Sequence, residues 1–285
     1  MSVLSQKKLS QFRYHTYRVS HFKRLISPEQ AIEFVNERGF IFFWPVKGIQ
    51  LPSLWVAAAG DRPVADEHDD PGHVTWGWKD SLLGKRHWYY AKILKRRGTF
   101  LSNSLLPYFY ALSENYGSPE EDYLIQYQEG RLTQEARRVY EVLLDHGPLD
   151  TIALRKAARL SNSDSDTRFN KALDQLMADF KVLPVGTTDA GGWHYSYLYD
   201  TVTHFYPDLA EQARSIHQND ARVQILTYYF KSVGAASSHE IQRLFQWKVD
   251  QTSPALAGLS ASGFINQEVE IEGQRENYYA LHRLS

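Results

Sequence analysis

Side chains that could perform catalysis are few in this sequence and seldom follow a recognised spacing. The chain contains no cysteine, so disulfides, thiolate zinc sites and cysteine nucleophiles are all excluded. Residue types that bind metals cluster once, in the segment EHDDPGH, at Glu67, His68, Asp69, Asp70 and His73. That segment lacks the HExxH spacing of a helical zinc site, and its Pro-Gly pair indicates a turn. We therefore expect an acidic loop there, with no metal and no cofactor.

Carboxylates that could act as a general base lie elsewhere, at Asp80, Glu114 and Asp122, and nothing in their spacing selects one of them. No glycine-rich phosphate-binding loop is present, because Gly191 and Gly192 belong to a predicted hairpin turn. Serine is plentiful, but none follows the nucleophile-elbow pattern. The catalytic residues of any enzyme activity therefore stay unknown at this level.

A basic and aromatic segment, GKRHWYYAKILKRRGTF (residues 84–100), gives the clearest sign of a ligand. The chain carries a net charge of −1, but residues 81–113 contain no acid. Cations interleaved with aromatic rings suit phosphate contacts combined with base stacking. We read residues 76–109 as helical, and the side chains then offered to DNA are those of Lys85, Arg86, His87, Lys92, Lys95, Arg96 and Arg97. The alternative is a solvated helix surface that needs no ligand.

The elements that would position functional residues are clearest from residue 132 onward. Helical spacing of apolar residues predicts one helix over residues 133–147, a second from Asp150 and a third over 167–180. Two strand-like runs, KVLPVG and WHYSYLY, follow on either side of a turn at residues 187–192. Three helices followed by a hairpin are the order of a winged helix, whose third helix normally enters the DNA major groove.

The third helix of this central module offers Arg168, Asn170 and Lys171 to DNA. Arginine and asparagine suit bidentate contacts with guanine and adenine edges. The same helix region carries three acidic residues that would repel phosphates, namely Asp166, Asp174 and Asp179. It could therefore pack inside the protein, with the basic front half as the DNA-facing surface.

The same order of elements recurs near the C-terminus, and this repeat strengthens the winged-helix prediction. Helices are predicted over residues 220–234, 237–247 and 249–263, the last with an early interruption at Pro254. A hairpin turning at Glu272-Gly273 completes the copy. We expect an α+β, mainly helical fold of tandem winged-helix modules, each a helix-turn-helix plus a β-hairpin wing. The expected domains are a basic and aromatic N-terminal region, either an elaborated winged helix or something different (1–131), a central winged helix (132–207) and a C-terminal winged helix (208–285).

The sequence also suggests where the protein acts. The first 25 residues lack the apolar stretch of a secretion signal, and prolines and polar residues interrupt the apolar run at residues 39–60. With no disulfide to indicate an oxidising compartment, we expect a cytoplasmic protein that does not contact a membrane. The sequence leaves the oligomeric state open, and a monomer is favoured.

Four short motifs between Leu132 and Leu209 point to a known family. They are GPL before the second helix, the strand VLPVG, the return through GGWHYSYLYD and the closing FYPDL. In these motifs the chain resembles the AlkZ/YcaQ-like DNA glycosylases, winged-helix enzymes that unhook interstrand crosslinks and release alkylated bases. The resemblance implies tandem winged helices around a DNA-sized channel, and a part in the repair of alkylated DNA.

The resemblance also implies where an active site would lie. Members of that family carry a Gly-Phe-hydrophobic run followed by Gln-hydrophobic-Asp or Gln-hydrophobic-Gln, whose polar side chains position and activate the attacking water. Residues 39–41, Gly-Phe-Ile, match the run, but Phe42 and Trp44 replace the polar pair, with Phe43 between them. A second expected motif, Arg-Ala-His-His, is replaced by Leu-Pro-Ser-Leu at residues 51–54. The aromatic replacements cannot accept a proton or orient water, so the usual catalytic pair is missing.

Two readings of this aromatic stretch stay open. It could form a wall on which an extruded base stacks, or Phe42 and Trp44 could fill space between helices. A literal Gln-hydrophobic-Gln triplet occurs at Gln126-Tyr127-Gln128, but no Gly-Phe precedes it. We interpret that triplet as a connecting strand with outward glutamines.

Three hypotheses about function follow. The first is a double-stranded DNA-binding protein, related to the crosslink-repair glycosylases, that probes damaged or alkylated DNA without the usual catalytic pair. The second is an active monofunctional glycosylase that hydrolyses the N-glycosidic bond with a carboxylate not yet identified. The third is a transcription regulator or interaction scaffold built from winged helices. Steep salt dependence favours the first two, whereas a palindromic site and a stable dimer favour the third.

Overall fold

A computed structural model describes residues 3–64, 70–191 and 194–285. The α+β prediction is confirmed, with 52% of residues in helices and 16% in strands. The chain divides into two compact units. Unit 1 comprises Met1–Trp78, Phe100–Leu105 and His217–Ser285, and unit 2 comprises Lys79–Thr99 and Leu106–Ile216. No helix within the described ranges has the length and apolar character needed to cross a bilayer.

Helices and strands both occur throughout the described residues. The helices are α1 (Gln6–Thr16), α2 (Pro28–Arg38), α3 (Leu54–Ala59), α4 (Val74–Leu82), α5 (Leu106–Tyr110), α6 (Pro119–Gln128), α7 (Gln134–His146), α8 (Thr151–Ala157), α9 (Asp166–Ala178), α10 (Val202–Phe205), α11 (Leu209–Arg214), α12 (Gln218–Val233), α13 (Ser238–Phe245) and α14 (Val249–Ala261). Short 3-10 turns occupy His21–Lys23, Pro71–His73, Leu94–Arg96 and Ser163–Ser165. The strands are β1 (Val3–Leu4), β2 (Phe40–Phe42), β3 (Tyr89–Lys92), β4 (Gly98–Leu101), β5 (Leu149–Asp150), β6 (Val182–Thr188), β7 (Ser196–Thr201), β8 (Ala235–Ala236), β9 (Ile265–Ile271) and β10 (Asn277–Leu281).

Unit 1 is built around α12 and a small sheet. The sheet has the order β1-β9-β10-β8, in which β1 is parallel to β9 and the other pairs are antiparallel. Helix α12 packs against α1, α2 and α14, and its buried face includes Ile225, Leu226 and Phe230. Strands β9 and β10 form the predicted C-terminal hairpin, which turns at Glu272 and Gly273 as expected.

One helix prediction in this unit is wrong. The interruption expected at Pro254 does not occur, because α14 runs unbroken through that residue. A proline inside a helix removes a backbone hydrogen bond and costs about 3 kcal/mol. The side chains of Ala255, Leu256 and Leu259 are buried, and their packing offsets this cost by holding one face of α14 in the core.

Unit 2 contains the helices and hairpin predicted from residue 132 onward. Thr133 caps α7, and the Asp150 carboxylate caps α8 by accepting two backbone N–H groups at 2.8 and 3.0 Å. Helix α9 leads into the antiparallel pair β6–β7, and β5 pairs with β7 on its other side. Gly192, at the end of the predicted turn, lies outside the described residues. The assignment of this order and its C-terminal copy to winged helices, with the three domains bounded at residues 131 and 207, stays a prediction.

The helical prediction for residues 76–109 is wrong over the basic segment. Strands β3 and β4 occupy that segment, with a short 3-10 turn between them. Burial alternates along β3, where Tyr89 and Ala91 are buried and Lys92 is exposed, which is the period of a strand. Arg96 adopts a positive φ of 54°, a left-handed conformation that interrupts any regular helix. Strands and turns therefore carry the basic side chains.

Candidate nucleic-acid interface

Strand β2 and the segment before α3 bring the two motif-equivalent stretches together in unit 1. The backbone N–H of Phe42 donates to the Pro52 carbonyl at 2.9 Å, and that of Trp55 donates to the Phe43 carbonyl at 3.0 Å. Ser53 pairs with Phe42 in a parallel bridge, and its hydroxyl caps α3 by accepting a backbone N–H at 3.2 Å. The two stretches therefore lie side by side.

Gly39, which precedes strand β2, occupies a position that favours glycine. It ends α2 with a φ of +78°, and its N–H donates to the Val35 carbonyl at 2.8 Å. A Cβ at this position would lie 2.5 Å from the Tyr228 ring. The Gly-Phe pair therefore serves the turn from α2 into β2, whichever residues follow it.

The side chains of residues 42–44 differ greatly in exposure. Phe42 is completely buried and Phe43 nearly so, but Trp44 is 38% exposed. The Trp44 ring stacks on Phe43, with centroids 5.5 Å apart and planes inclined by 17°. Trp76 of α4, itself 39% exposed, meets both rings at steep angles, 5.7 Å from Trp44 and 5.9 Å from Phe43. We call Phe43, Trp44 and Trp76 the aromatic surface.

This aromatic surface offers stacking but no acid–base chemistry. An indole N–H only donates hydrogen bonds, and a phenyl ring has no polar atom. Phe42, which the sequence resemblance predicts at the position of the family's glutamine, belongs to the core of unit 1. Trp76 was missed by sequence reasoning, although the unusual Trp-Gly-Trp run at residues 76–78 was a signal that could have drawn attention to it.

In unit 2, strand β3 and the 3-10 turn of the basic segment pack against α9. Lys92 forms an ion pair with Asp174 of α9 at 2.7 Å. The Arg86 guanidinium lies 4.8 Å from the centroid of the Phe205 ring, a cation–π arrangement. Four further predicted side chains are exposed and one is half-buried, the exposed ones being Lys85, His87, Arg96 and Arg97, and the half-buried one Lys95.

Helix α9 buries an apolar face and exposes the polar residues that the sequence singled out. Asn170 and Lys171 are exposed and lie about one helical turn before Asp174, the residue that pairs with Lys92. Arg168 is also exposed and lies 3.4 Å from the Glu135 carboxylate. The two predicted sets of DNA-binding residues thus belong to neighbouring elements of one unit.

Each of the three acidic residues on or beside α9 is either paired with a cation or partly buried, so each would repel a phosphate less than a free surface carboxylate. Asp174 pairs with Lys92, and Asp166 pairs with Arg155. Asp179, just after the helix, is half-buried, and this burial raises the pKa of its carboxyl against the attraction of nearby cations. Ion pairing and burial therefore weaken the repulsion that would keep DNA away from α9.

Of the three candidate general bases, Asp80 has the surroundings best suited to chemistry. Its carboxylate accepts from the ammonium of the fully buried Lys79 and from the Tyr195 hydroxyl, the latter at 3.2 Å, and its side chain is 17% exposed. Burial lowers the pKa of Lys79, and the hydrogen bond to Asp80 opposes that shift. Asp122 is instead buried and accepts a backbone N–H at 2.7 Å, while Glu114 forms an exposed ion pair with an arginine.

The glutamine triplet lies on α6, so the connecting strand expected there is wrong. Gln126 is buried and its amide donates to the Glu114 carbonyl at 3.0 Å, while Gln128 is exposed. Residues two apart on a helix project about 200° apart around its axis. The two amides therefore lie on opposite sides of α6 and cannot act as a pair.

The segment with metal-ligand residue types is only partly described. Glu67, His68 and Asp69 lie outside the described residues. The Asp70 carboxylate is held by Arg62, at 2.5 and 2.9 Å. Within the described ranges, no group of three potential ligands could hold a metal ion.

Comparison with known proteins identifies the family. The profile of the AlkZ-related family matches residues 25–246. The chain belongs to this family. Among solved structures, the DNA glycosylase AlkZ of Streptomyces sahachiroi matches with a TM-score of 0.61 and 12% identity, over 99% of this chain and 71% of that one. No match was found among curated proteins.

The AlkZ-related match includes the aromatic surface, the basic segment and α9. At 12% identity, the likeness to AlkZ shows a shared fold. The chemistry of the site has to be argued from this chain's own residues, because a fold alone does not determine activity.

Proposed function

We propose that this AlkZ-related protein binds double-stranded DNA and probes unstacked or alkylated bases with its aromatic surface, without the usual catalytic pair. One observation carries the proposal. Where the family's polar pair is expected, Phe42 is core and Trp44 is a partly exposed ring, supported by Phe43 and Trp76. An aromatic side chain at that place can stack on an extruded base, but it cannot activate water.

The basic segment and α9 would supply the phosphate contacts. Lys85, Arg96 and Arg97 reach solvent from strands and turns, and Asn170 and Lys171 do so from α9. Each phosphate that these residues neutralise steepens the dependence of log affinity on log salt by about 0.9. Binding of this kind is strongly salt-dependent and largely independent of sequence.

The deciding experiment measures binding and base release on the same samples. Fluorescence anisotropy across a salt series compares a plain duplex with an alkylated one, and alkali treatment followed by a denaturing gel then reveals any abasic site. We expect salt-sensitive binding, tighter for the alkylated duplex, and no strand cleavage. Absence of binding to either duplex would remove the proposal, and a tight palindromic site with a stable dimer would favour a transcription regulator.

A second function, glycosylase activity with a different carboxylate, is favoured by the surroundings of Asp80. This residue combines partial exposure with a buried ammonium and a tyrosine hydroxyl that fix its carboxylate, which can also accept a hydrogen bond from a water molecule. Cleavage on the gel that disappears in Asp80→Asn would establish it. Cleavage that survives this substitution would exclude Asp80 as the base.

The remaining assignments belong to the same proposal. The two repeated modules are winged helices at residues 132–207 and 208–285, and the protein acts as a cytoplasmic monomer. Sedimentation of the free protein and of its DNA complex tests the oligomeric state.

A further inference from the structure

Unit 1 contains a second candidate site, a cavity of about 600 Å³ between the ends of α1, α2 and α12 and the hairpin β9–β10. Six of its lining residues are basic or imidazole side chains: His15, Lys23, Arg38, Lys231, His282 and Arg283. None of them belongs to the aromatic surface or to the basic segment. Most lie outside residues 25–246, the part that the AlkZ-related profile matches.

The cavity carries an excess of positive charge. Its carboxylate, Glu37, is shared between Arg38 at 2.5 Å and Arg18 at 3.0 Å. Lys23, Lys231 and Arg283 have no carboxylate within 4.0 Å among the described residues. Three cations therefore remain uncompensated at the rim, even if both histidines are neutral.

The position of the rim cations favours a ligand-binding role over a structural one. The Lys231 ammonium lies 5.1 Å from the Tyr228 ring, and the Arg283 guanidinium lies 5.6 Å from the Phe12 ring. Aromatic faces orient a cation but leave its charge available to an anion. Both cationic side chains belong to exposed residues, so a ligand can reach them.

Arg38 adds a buried guanidinium to the lining of the cavity. It is 8% exposed, and its Nη1 donates to the Lys231 carbonyl at 3.0 Å, yet its buried Nε has no hydrogen-bond partner. Burial lowers the pKa of this guanidinium, against the pull of Glu37. An anion bound in the cavity would add negative charge beside this guanidinium and so stabilise its charged form.

We propose that this cavity binds a phosphate group, carried either by a nucleic-acid backbone or by a free phosphorylated small molecule. Three available cations and a planar arginine match a divalent anion with several acceptor oxygens better than a single carboxylate. The volume exceeds that of one phosphate, so the ligand extends beyond the anion, as ligands of cavities of this size do.

The test uses the full chain and two probes, ATP and a 12-base-pair duplex, each titrated calorimetrically at low salt. The variant Lys231→Ala/Arg283→Ala removes two rim cations. The control, Lys7→Ala/Arg275→Ala, removes the same charges from exposed positions of unit 1 outside the cavity. We expect the cavity variant to bind at least one probe about tenfold more weakly, and the control to bind it as the parent does.

The two probes separate the sources of the phosphate. Loss of ATP binding with unchanged duplex affinity means a small phosphorylated ligand, and loss of duplex affinity alone means a backbone contact. No binding of either probe by the parent, or equal weakening in the control, overturns the inference. Lys231→Glu gives a second variant, and thermal melting confirms that each protein is folded. Equal weakening in the control leaves the aromatic surface untouched, because its role is measured with Trp44 variants, whereas a parent that binds no duplex would also remove the proposed function.

Discussion

Replacing Trp44 with alanine removes the outermost stacked ring of the aromatic surface. Stacking of one base on an aromatic side chain is worth about 1–3 kcal/mol. The dissociation constant for a duplex with an unpaired base should therefore rise by about 5- to 150-fold. A fully paired duplex presents no base to this ring, so its affinity should change by less than about twofold.

The substitution should leave the protein folded. Trp44 is 38% exposed, and truncating a fully buried tryptophan costs about 3–5 kcal/mol. Scaling by the buried part of the residue gives a loss of about 2–3 kcal/mol, within the usual stability of a domain. Trp247→Ala is the matched control, because Trp247 stacks on Phe245 at 4.4 Å in the same unit but outside the aromatic surface.

The assay is fluorescence anisotropy with two duplexes that differ only by one unpaired base. The informative quantity is the ratio of their affinities, since a general loss of folded protein cancels from it. Trp44→Ala should lower this ratio, and Trp247→Ala should leave it unchanged. Equal losses for both duplexes, or the same change of ratio in the control, would refute the stacking role of Trp44.

Three further predictions test other parts of the molecule. Replacing Lys95, Arg96 and Arg97 with alanine should weaken duplex binding and make the salt slope shallower by about 0.9 per lost phosphate contact; an unchanged slope would remove the basic segment from the interface. Phe42→Gln should reduce the free energy of unfolding by about 4 kcal/mol in urea titrations without producing base release, because Phe42 is completely buried and an amide there lacks partners; a variant as stable as the parent would contradict this. Burial lowers the pKa of Lys181 to about 8, so the folded state binds fewer protons than the unfolded one above that pH, and stability should rise as pH increases from about 8 toward 10. Lys181→Met should flatten this rise, and an equally steep rise in the variant would assign it to other groups.

Features decided by residues close in sequence were predictable. The helices predicted from Thr133 and Asp150 begin beside these residues, which cap them, because a cap and the N–H groups it satisfies lie within three residues. The hairpin turn at Glu272-Gly273 and the repeated order of elements depend on equally local patterns. That Phe42 and Trp44 cannot activate water follows from the residue types alone, since phenylalanine and tryptophan cannot take a proton from water in any fold.

Only the tertiary structure decided which of these residues face solvent and which elements carry them. Phe42 and Trp44 are two positions apart, yet Phe42 is buried in the core and Trp44 is partly exposed. Trp44 also contacts Trp76, because β2 and α4 meet only after folding. The basic segment has enough helix-forming residues to suggest a helix, but burial of alternate side chains makes it a strand, since packing outweighs local propensities of a few tenths of a kcal/mol. The same long-range packing lets α14 run through Pro254 and brings together the cations that line the cavity of unit 1, contacts that no local pattern contains.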